Sequence, residues 1–482
     1  MTKNIIINLL LFLCFNIAAS LPTQETNVPK EDRNNFEITK KALQTVEEIE
    51  EKIEEKYNLN NRETPTKGTQ FDISNFTDKS TIYRPMENPD LFQGDEVLTE
   101  EQAKDLIEEA VEEARNYEVN LSGLFNNDDI TRKKRKIEIK ENAKWDFPIK
   151  YYIHGVNETL VDISLKLIEK ETCIKFEKER YYPTFGTPGL KYIKGNGCWS
   201  FVGRKSPDQF QDVSIGSGCT TIGTVQHETM HALGSIHEHC RADRNDYLNI
   251  IPEHIGFNKE RNFRRLNFSD VITYNITYDY GSDMQYAVDS FTKDGEPTML
   301  PKNPLYSKTL GVSSGLTFLD VKLLNFYYCS NNSTEKIKCY NGGYEDPNNK
   351  GKCKCVEGYG GDKCIELPKP KEGCNTTLYH VTENAKNISI DGEQNCLYHL
   401  KAPHGKRINI TVLYAKLMFS YEHTCKKENS LEIKFISNKT PTGALLCSEN
   451  RNISIITEND HAIIHYRSTF EWNNMNMTFH AI

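Results

Sequence analysis

The sequence lacks three features that would each point to a different class of protein. It has no basic field, since 68 acidic side chains against 59 basic ones give a formal net charge of -9. Beyond the N-terminus it has no apolar run of the ~20 residues that span a bilayer. It has no cysteine between residues 21 and 172. We therefore expect no nucleic-acid partner, no membrane span and a first region built without disulfides.

Length and the N-terminus indicate a secreted protein of several domains. A chain of 482 residues exceeds the size at which single domains usually stop growing. Lys3, an apolar run over residues 5–17 and the small residues at 18–20 are typical of a cleaved secretory signal. Residues 1–20 are therefore predicted to be a signal peptide. Many Asn-x-Ser/Thr triplets, Asn75 among them, favour a glycosylated extracellular surface.

The region without cysteine is predicted to be a helical propeptide over residues 21–135. Apolar residues recur at helical spacing over residues 37–57, and Thr99 with Gln102 forms a capping box before a second such pattern. Four consecutive cations stand at residues 132–135. Such a run is either a solvated charge cluster or a processing site. Behind a signal peptide we favour cleavage after Arg135 by a proprotein convertase.

The segment HETMHALGSIH, residues 227–237, matches the HExxHxxGxxH signature of zinc peptidases. His227 and His231 lie one helical turn apart, so both imidazoles can reach one ion. Gly234 lets the chain leave the helix and bring in His237. Three neutral imidazoles predict one Zn²⁺ with an open position for water. Glu228 is placed to take a proton from that water and to pass it to a leaving amine.

The alternative interpretation of this segment is a helix that carries a few surface histidines. A bare HExxH would leave that alternative open, but the longer signature fixes five positions and makes a chance match rare. We therefore predict a zinc-dependent endopeptidase (EC 3.4.24.-) with metal ligands His227, His231 and His237.

From His227 to Tyr247 the chain resembles the astacin family of metzincins. That family's pattern His-Glu-x-x-Arg-x-Asp-Arg stands here at residues 237–244, and residues 278–286 resemble the astacin Met-turn. The resemblance covers about residues 92–482. It implies an α+β class with a two-lobed, zincin-like peptidase domain over residues 136–329 that acts on extracellular proteins or peptides.

The resemblance also implies roles in the Met-turn. Met284 would form an apolar floor beneath the zinc, and Tyr286 would be an additional ligand that swings out to support the oxyanion. Two residues depart from the family pattern, which has an apolar residue at position 283 and histidine at 285. This chain has Asp283 and Gln285, and a carboxylate close to the metal could alter activity.

A latent form is implied by a second family motif. Residues 92–95 read Phe-Gln-Gly-Asp, and in relatives the aspartate of such a motif occupies the open position on zinc, which assigns Asp95 as the switch ligand. Cleavage after Arg135 would make Lys136 the new N-terminus. In relatives that terminus folds inward, and Glu238 is the expected partner of the freed amine.

The resemblance implies two further modules, joined by a proline- and lysine-rich linker at residues 366–373. They are an EGF-like domain over residues 335–365 and an all-β CUB sandwich over residues 374–482, in which calcium binding is left open. The implied disulfides are Cys173–Cys329, Cys198–Cys219, Cys339–Cys353, Cys355–Cys364, Cys374–Cys396 and Cys425–Cys447.

Cys240 is left over by these pairings. It is either a metal ligand or a buried thiol. Because a fourth protein ligand would close the position that catalysis needs, we favour the buried thiol.

Two other functions stay open at this point. The first is an adhesive or scaffolding glycoprotein whose peptidase domain is inert; Glu228 and the complete ligand set argue against it, whereas Asp283 keeps it open. The second is a zinc hydrolase that acts on another acyl compound. A long cleft open at both ends would favour peptides over that alternative.

Overall fold

The computed structural model describes residues 32–58, 84–121, 124, 144–182, 186–266, 272–329, 337–418 and 424–482. The predicted signal peptide, Arg135 and Lys136 lie outside these residues. The described part mixes helices and strands, in agreement with the predicted α+β class. None of its helices has the length and apolar composition needed to cross a bilayer.

Two helices form the described part of the region without cysteine. They are α1 (Arg33–Asn58) and α2 (Glu100–Asn116). Both hydrogen bonds of the predicted capping box between Thr99 and Gln102 are present at the start of α2. The apolar faces of the two helices pack together, and Phe36 of α1 contacts Trp199 of the peptidase region with ring centroids 4.8 Å apart.

The peptidase region contains a sheet whose outer strand comes from the region without cysteine. Its strands are β1 (Glu96–Val97), β2 (Ile149–His154), β3 (Phe176–Lys178), β4 (Gly189–Ile193), β5 (Cys198–Phe201) and β6 (Phe210–Ile215). Their order in the sheet is β1-β5-β6-β4-β2-β3. β1 pairs in parallel with β5, which runs antiparallel to β6. Removal of the propeptide would therefore leave β5 at the edge.

Three α-helices and a two-stranded antiparallel sheet complete the described part of this region. They are α3 (Glu158–Glu171), α4 (Ile222–Ala232), β7 (Leu248–Ile250) paired with β8 (Met299–Pro301), and α5 (Phe318–Tyr328). Residues 223–232 of α4 are all buried. Two disulfides close the region, Cys173–Cys329 between the ends of α3 and α5, and Cys198–Cys219 between β5 and the loop before α4.

Two modules follow, with the disulfides that the resemblance implied. The first holds β9 (Tyr344–Glu345), β10 (Cys353–Lys354) and the pairs Cys339–Cys353 and Cys355–Cys364. The second holds two sheets, of order β11-β13-β18-β15-β16 and β12-β19-β14-β17, and the pairs Cys374–Cys396 and Cys425–Cys447. Its strands are β11 (Leu378–His380), β12 (Lys386–Asp391), β13 (Asn395–Lys401), β14 (Ile408–Lys416), β15 (Ser430–Lys434), β16 (Ala444–Leu446), β17 (Glu449–Ile456), β18 (His461–Arg467) and β19 (Asn474–Ala481).

The C-terminal sandwich packs directly on the peptidase region. The backbone N–H of Thr442 donates to the Asp279 carboxylate at 2.9 Å, and the Thr424 hydroxyl donates to the carbonyl of Leu310 at 2.7 Å. The apolar core of the second half of the peptidase region continues into the sandwich. The two domains therefore share one buried interface, which lies next to the Met-turn.

Candidate metal centre and the segment that covers it

Helix α4 and its end bring three histidines together. The Thr221 hydroxyl caps the N-terminus of α4, which fixes the helix on which His227 and His231 lie one turn apart. The helix ends at Gly234, whose φ of 97° is a left-handed conformation that glycine adopts without strain. The chain then turns back and places His237 beside the first two rings, with ring centroids 5.2 and 4.7 Å away.

The inner ring nitrogens of these histidines converge on one carboxylate, that of Asp95, from the N-terminal region without cysteine. Asp95 Oδ2 lies 3.3 Å from His227 Nε2 and 3.2 Å from His237 Nε2. Asp95 Oδ1 lies 3.7 Å from His231 Nε2. One donor atom from each of the four residues lies within 4.8 Å of the others. Asp95 and the three histidines therefore form a single buried cluster.

This donor set fits a zinc ion. Three imidazole nitrogens and one carboxylate oxygen are ligands that Zn²⁺ takes with four-fold coordination. Among the described residues, the buried atoms His237 Nε2 and Asp95 Oδ1 have no hydrogen-bond partner. Burial raises the pKa of Asp95, but the histidines outweigh burial and hold that pKa below its ordinary value. The carboxylate is therefore ionised and able to act as a ligand.

The outer nitrogens of the three rings are also hydrogen-bonded. His227 Nδ1 donates to the carbonyl of Asp283 at 2.6 Å, and His231 Nδ1 donates to the carbonyl of Ser235 at 2.9 Å. His237 Nδ1 donates to the Gln93 side-chain oxygen at 2.8 Å. A proton on Nδ1 leaves the Nε2 lone pair free, which is the tautomer that binds a metal.

Glu228 lies next to this cluster with an unpartnered carboxylate. It is fully buried, and neither oxygen has a hydrogen-bond partner among the described residues. Burial raises the pKa of Glu228 well above its ordinary value, and the negative charge of Asp95 raises it further. A carboxyl group in this position can exchange a proton with a molecule at the metal.

Met284 and Tyr286 of the predicted Met-turn are both buried. Met284 is buried in the apolar cluster that includes Met230 and Leu233 of the zinc-helix region. The Tyr286 ring centroid lies 4.6 Å from that of His237, and its hydroxyl donates to the backbone carbonyl of Gln93. The phenol is therefore held by the N-terminal region that contains Gln93.

Asp283 and Gln285 are the two departures from the family pattern. Neither contributes its side chain to the cluster of Asp95 and the three histidines. The backbone of Asp283 serves the centre through its carbonyl on His227, while its own carboxyl is buried, which raises its pKa to about 7. The Gln285 side chain accepts from the Tyr278 hydroxyl and donates to the carbonyl of Tyr286. Both side chains are directed to the protein interior.

Glu238 lies beside a large cavity under α2. Its carboxylate accepts from the backbone N–H of Asp279 at 2.9 Å and from Arg241 at 3.0 Å. Burial raises the pKa of Glu238 to about 7, although Arg241 opposes this. The cavity has a volume of about 780 Å³ and is also lined by Ser282 and Tyr327. It has room for a short peptide segment near this carboxylate.

Cys240 is a free, buried thiol outside the cluster. Its sulfur lies 3.3 Å from His239 Nε2, and burial raises the pKa of the thiol well above its ordinary value. A second group of possible ligands, Glu357, Glu432 and His465, joins the two C-terminal modules. Arg467 donates to both glutamates at 2.8 and 2.7 Å, so an internal cation already neutralises this group.

The sequence did not reveal the outer partners of the histidines. Two of them are backbone carbonyls, which every residue carries, so no residue type marks them. Gln93 stands in the variable position of the Phe-x-Gly-Asp motif, two residues before Asp95. Only its proximity to Asp95 could have drawn attention to it.

Comparison with known proteins places these observations in a family. The model of the astacin peptidase family matches residues 137–329. The chain is similar to zinc metalloproteinase nas-34 of Caenorhabditis elegans, at 36% identity over 402 residues, which are 82% of this chain and 65% of that protein. It is similar to nas-36 of the same organism at 30% identity over 92% of this chain and 71% of that protein.

A solved structure is also similar to the chain. High choriolytic enzyme 1, a hatching enzyme zinc-protease from the medaka Oryzias latipes, matches 40% of this chain and 92% of its own at 29% identity, with a TM-score of 0.34. The chain spans about half to two thirds of the curated relatives nas-34, nas-37 and nas-30. The match to nas-36 covers 92% of this chain, the family model spans residues 227–237, and the chain therefore belongs to the astacin family of zinc metalloproteinases.

Proposed function

We propose that the chain is the latent precursor of a secreted zinc metalloendopeptidase that hydrolyses peptide bonds of extracellular proteins. The observation that carries this proposal is the convergence of three imidazole Nε2 atoms beside the buried, unpartnered carboxylate of Glu228. The similar proteins nas-34 and nas-36 are both named zinc metalloproteinases, which agrees with it. The disulfides support the secreted location, because such bonds persist outside the cell.

The residues of the centre have separate tasks in this proposal. Zinc bound to the three histidines supplies Lewis acidity, which polarises a peptide carbonyl and lowers the pKa of water. Glu228 takes a proton from water and returns it to the leaving amine, a role that suits a carboxyl whose pKa burial has raised. Tyr286, after release from Gln93, is near enough to donate a hydrogen bond to the developing oxyanion.

The sheet edge favours a peptide as the substrate. The propeptide occupies β5 as a strand, with Glu96 opposite Ser200, and the Ser200 N–H donates to the carbonyl of Asp95 at 2.9 Å. When β1 leaves, these backbone groups become free to pair with another extended chain. A smaller acyl compound would not use such an edge, which argues against the alternative hydrolase.

Latency and activation follow from the same segment. Asp95 fills the position between the three Nε2 atoms, so the uncut precursor is inactive. Cleavage after Arg135 by a convertase would release this segment and free the amino group of Lys136. The cavity beside Glu238 would receive the new terminus, where the buried carboxylate would pair with the amine.

The C-terminal modules are proposed to be EGF-like and CUB domains that contribute localisation or substrate contact. Their boundaries follow the sequence prediction, residues 335–365 and 374–482. The CUB sandwich packs on the peptidase region at Asp279 and Leu310, so it would hold a fixed place beside the active site.

Substitution of the proposed base tests the enzymatic function. Precursor is trimmed with a convertase and assayed on a quenched peptide library, and bound zinc is measured by mass spectrometry. Glu228→Gln should lower turnover by at least about 10²-fold while stoichiometric zinc is retained, because only the proton transfer is removed. Glu158→Gln, at a side chain 69% exposed on α3, is the matched control and should be fully active. Undiminished turnover by Glu228→Gln would refute the assigned role.

A further inference from the structure

The three metal-facing histidines differ in where their outer hydrogen-bond acceptors come from. The acceptors for His227 and His231 are backbone carbonyls of the peptidase region itself. The acceptor for His237 is the side chain of Gln93, which belongs to the propeptide. Two of the three imidazoles therefore keep their outer partners when the propeptide is removed, and the third loses its partner.

The chemistry of imidazole determines which Gln93 atom faces His237. A ring that presents the Nε2 lone pair to a metal must carry its hydrogen on Nδ1. Nδ1 then needs an acceptor, so the amide oxygen of Gln93 and not its NH₂ group must lie there, as the 2.8 Å contact has it. Such a contact selects the tautomer and holds the ring in the plane that binds the metal.

The structure holds Gln93 in place by tight packing of its turn. The residue is fully buried, has a positive φ of 48°, and is followed by Gly94 with a φ of 82°. A Cβ on Gly94 would lie 2.5 Å from the carbonyl oxygen of Met86. The backbone carbonyl of Gln93 meanwhile accepts from the Tyr286 hydroxyl. One residue thus binds two groups of the active site, by its side chain and by its backbone.

A second acceptor lies close to the same nitrogen. Glu96 Oε1 is 3.3 Å from His237 Nδ1 and 3.5 Å from His231 Nδ1, and the side chain is buried. Glu96 is the first residue of β1, so the pairing of that strand with Ser200 of β5 sets its position.

We propose that Gln93 is a positioning residue that clamps His237 in the zinc-bound precursor, so that propeptide removal loosens the third ligand as well as vacating the position of Asp95. This inference rests on the proposed function, because it assumes that the three histidines hold zinc. It predicts that the precursor retains zinc more firmly than the trimmed enzyme, and that Asp95 accounts for only part of the difference.

The test measures zinc release and does not depend on catalysis. Purified zinc-loaded precursors are mixed with a chromogenic chelator, and the release rate is followed by absorbance. Gln93→Leu removes the nearer acceptor at similar volume, leaves only Glu96 Oε1 at 3.3 Å, and should release zinc roughly tenfold faster than wild type. Gln93→Glu, which keeps an oxygen acceptor, should release zinc no faster than wild type. Gln44→Leu, the same change at an exposed site on α1, is the matched control and should leave the rate unchanged.

Trimming provides an internal control for folding. Residues 44 and 93 both leave with the propeptide, so all variants yield an identical trimmed enzyme and should then share one release rate. Gln93→Leu precursor that releases zinc at the wild-type rate would overturn the clamp, as would Gln93→Glu precursor that releases it as fast as Gln93→Leu. A trimmed enzyme that binds zinc but cuts no peptide would refute the proposed function and leave the clamp standing.

Discussion

The metal centre joins two regions that are held together in different ways. On the peptidase side, α4 is buried throughout residues 223–232 and Cys198–Cys219 closes the chain just before it. On the N-terminal side, residues 84–98 reach the same centre through a two-residue strand, through polar contacts such as the ion pair between Arg84 and Asp289 at 2.7 Å, and through a small apolar cluster that includes Leu91 and Val97. One side is stabilised by a large core and a disulfide, the other by a small apolar cluster and by polar groups that water can replace.

The difference bears on which side of the centre the proposed activation would release. An apolar core must unfold before its residues separate, and unfolding exposes surface at a high cost in free energy. Polar interface groups regain hydrogen bonds in water, so their net contribution to binding is small. If the chain is cut after Arg135 as proposed, release of the N-terminal side would expose the small apolar cluster around Leu91 and Val97 and would leave α4 folded.

Among substitutions on the N-terminal side, the largest expected effect comes from Asp95, whose carboxylate lies between the histidines. Asp95→Ala should raise the activity of uncut precursor by at least about tenfold, which corresponds to about 1.4 kcal/mol of lost inhibition. Peptide cleavage by precursor with a blocked convertase site measures this. Asp90→Ala, at a carboxylate 52% exposed in the same segment, is the control and should remain latent. Equal latency of the two variants would remove Asp95 as the switch.

A smaller effect is expected from the turn that presents Asp95. Gly94→Ala adds a Cβ 2.7 Å from Phe291 in a positive-φ conformation, a strain of about 1–3 kcal/mol that should displace the segment while Asp95 remains in the sequence. The uncut precursor should gain activity, although less than with Asp95→Ala. Gly295→Ala is the control, since Gly295 has the same sign of φ and open space around its Cβ position. Gly295→Ala adds backbone strain without a close Cβ contact, so the precursor with this change should remain latent.

The smallest effect concerns pH. Burial raises the pKa of Glu50 on α1 from 4.5 to about 7, against the opposing charge of Arg264. A carboxyl with a raised pKa favours its protonated form in the assembled precursor, so propeptide binding is strongest below pH 4.5 and weakens as pH rises towards 7. Burial and the nearby Asp32 also raise the pKa of Asp212 to about 7, so this carboxyl weakens propeptide binding in the same direction as pH rises.

The measurement is the dissociation constant of cut propeptide from the trimmed enzyme, between about pH 5 and pH 8. Glu50→Gln should flatten part of its pH dependence, and the contribution of Asp212 should remain. Glu51→Gln changes the neighbouring exposed carboxyl and should leave the profile intact. Identical profiles for wild type and Glu50→Gln would show that this interface does not respond to Glu50.

Local patterns predicted the elements that depend on neighbouring residues. The α1 helix covers the predicted residues 37–57, and α2 begins just after its cap Thr99, because amphipathic spacing and capping operate within one or two turns. The zinc signature likewise placed His227, His231 and His237 in one cluster, because it too depends on residues that lie close together in the sequence. Astacin membership was predicted from these residues, and the comparisons confirmed it.

The sequence by itself determined that the three histidines and Glu228 lie close together, because their spacing on a helix and around Gly234 specifies local geometry. The tertiary structure alone decided that Gln93 serves His237, that Asp283 contributes its carbonyl and not its carboxylate, and that the C-terminal sandwich lies against Asp279. These contacts join residues 56 to 163 positions apart. Backbone acceptors and surfaces separated by such distances leave no local pattern, since they meet only when the domains pack.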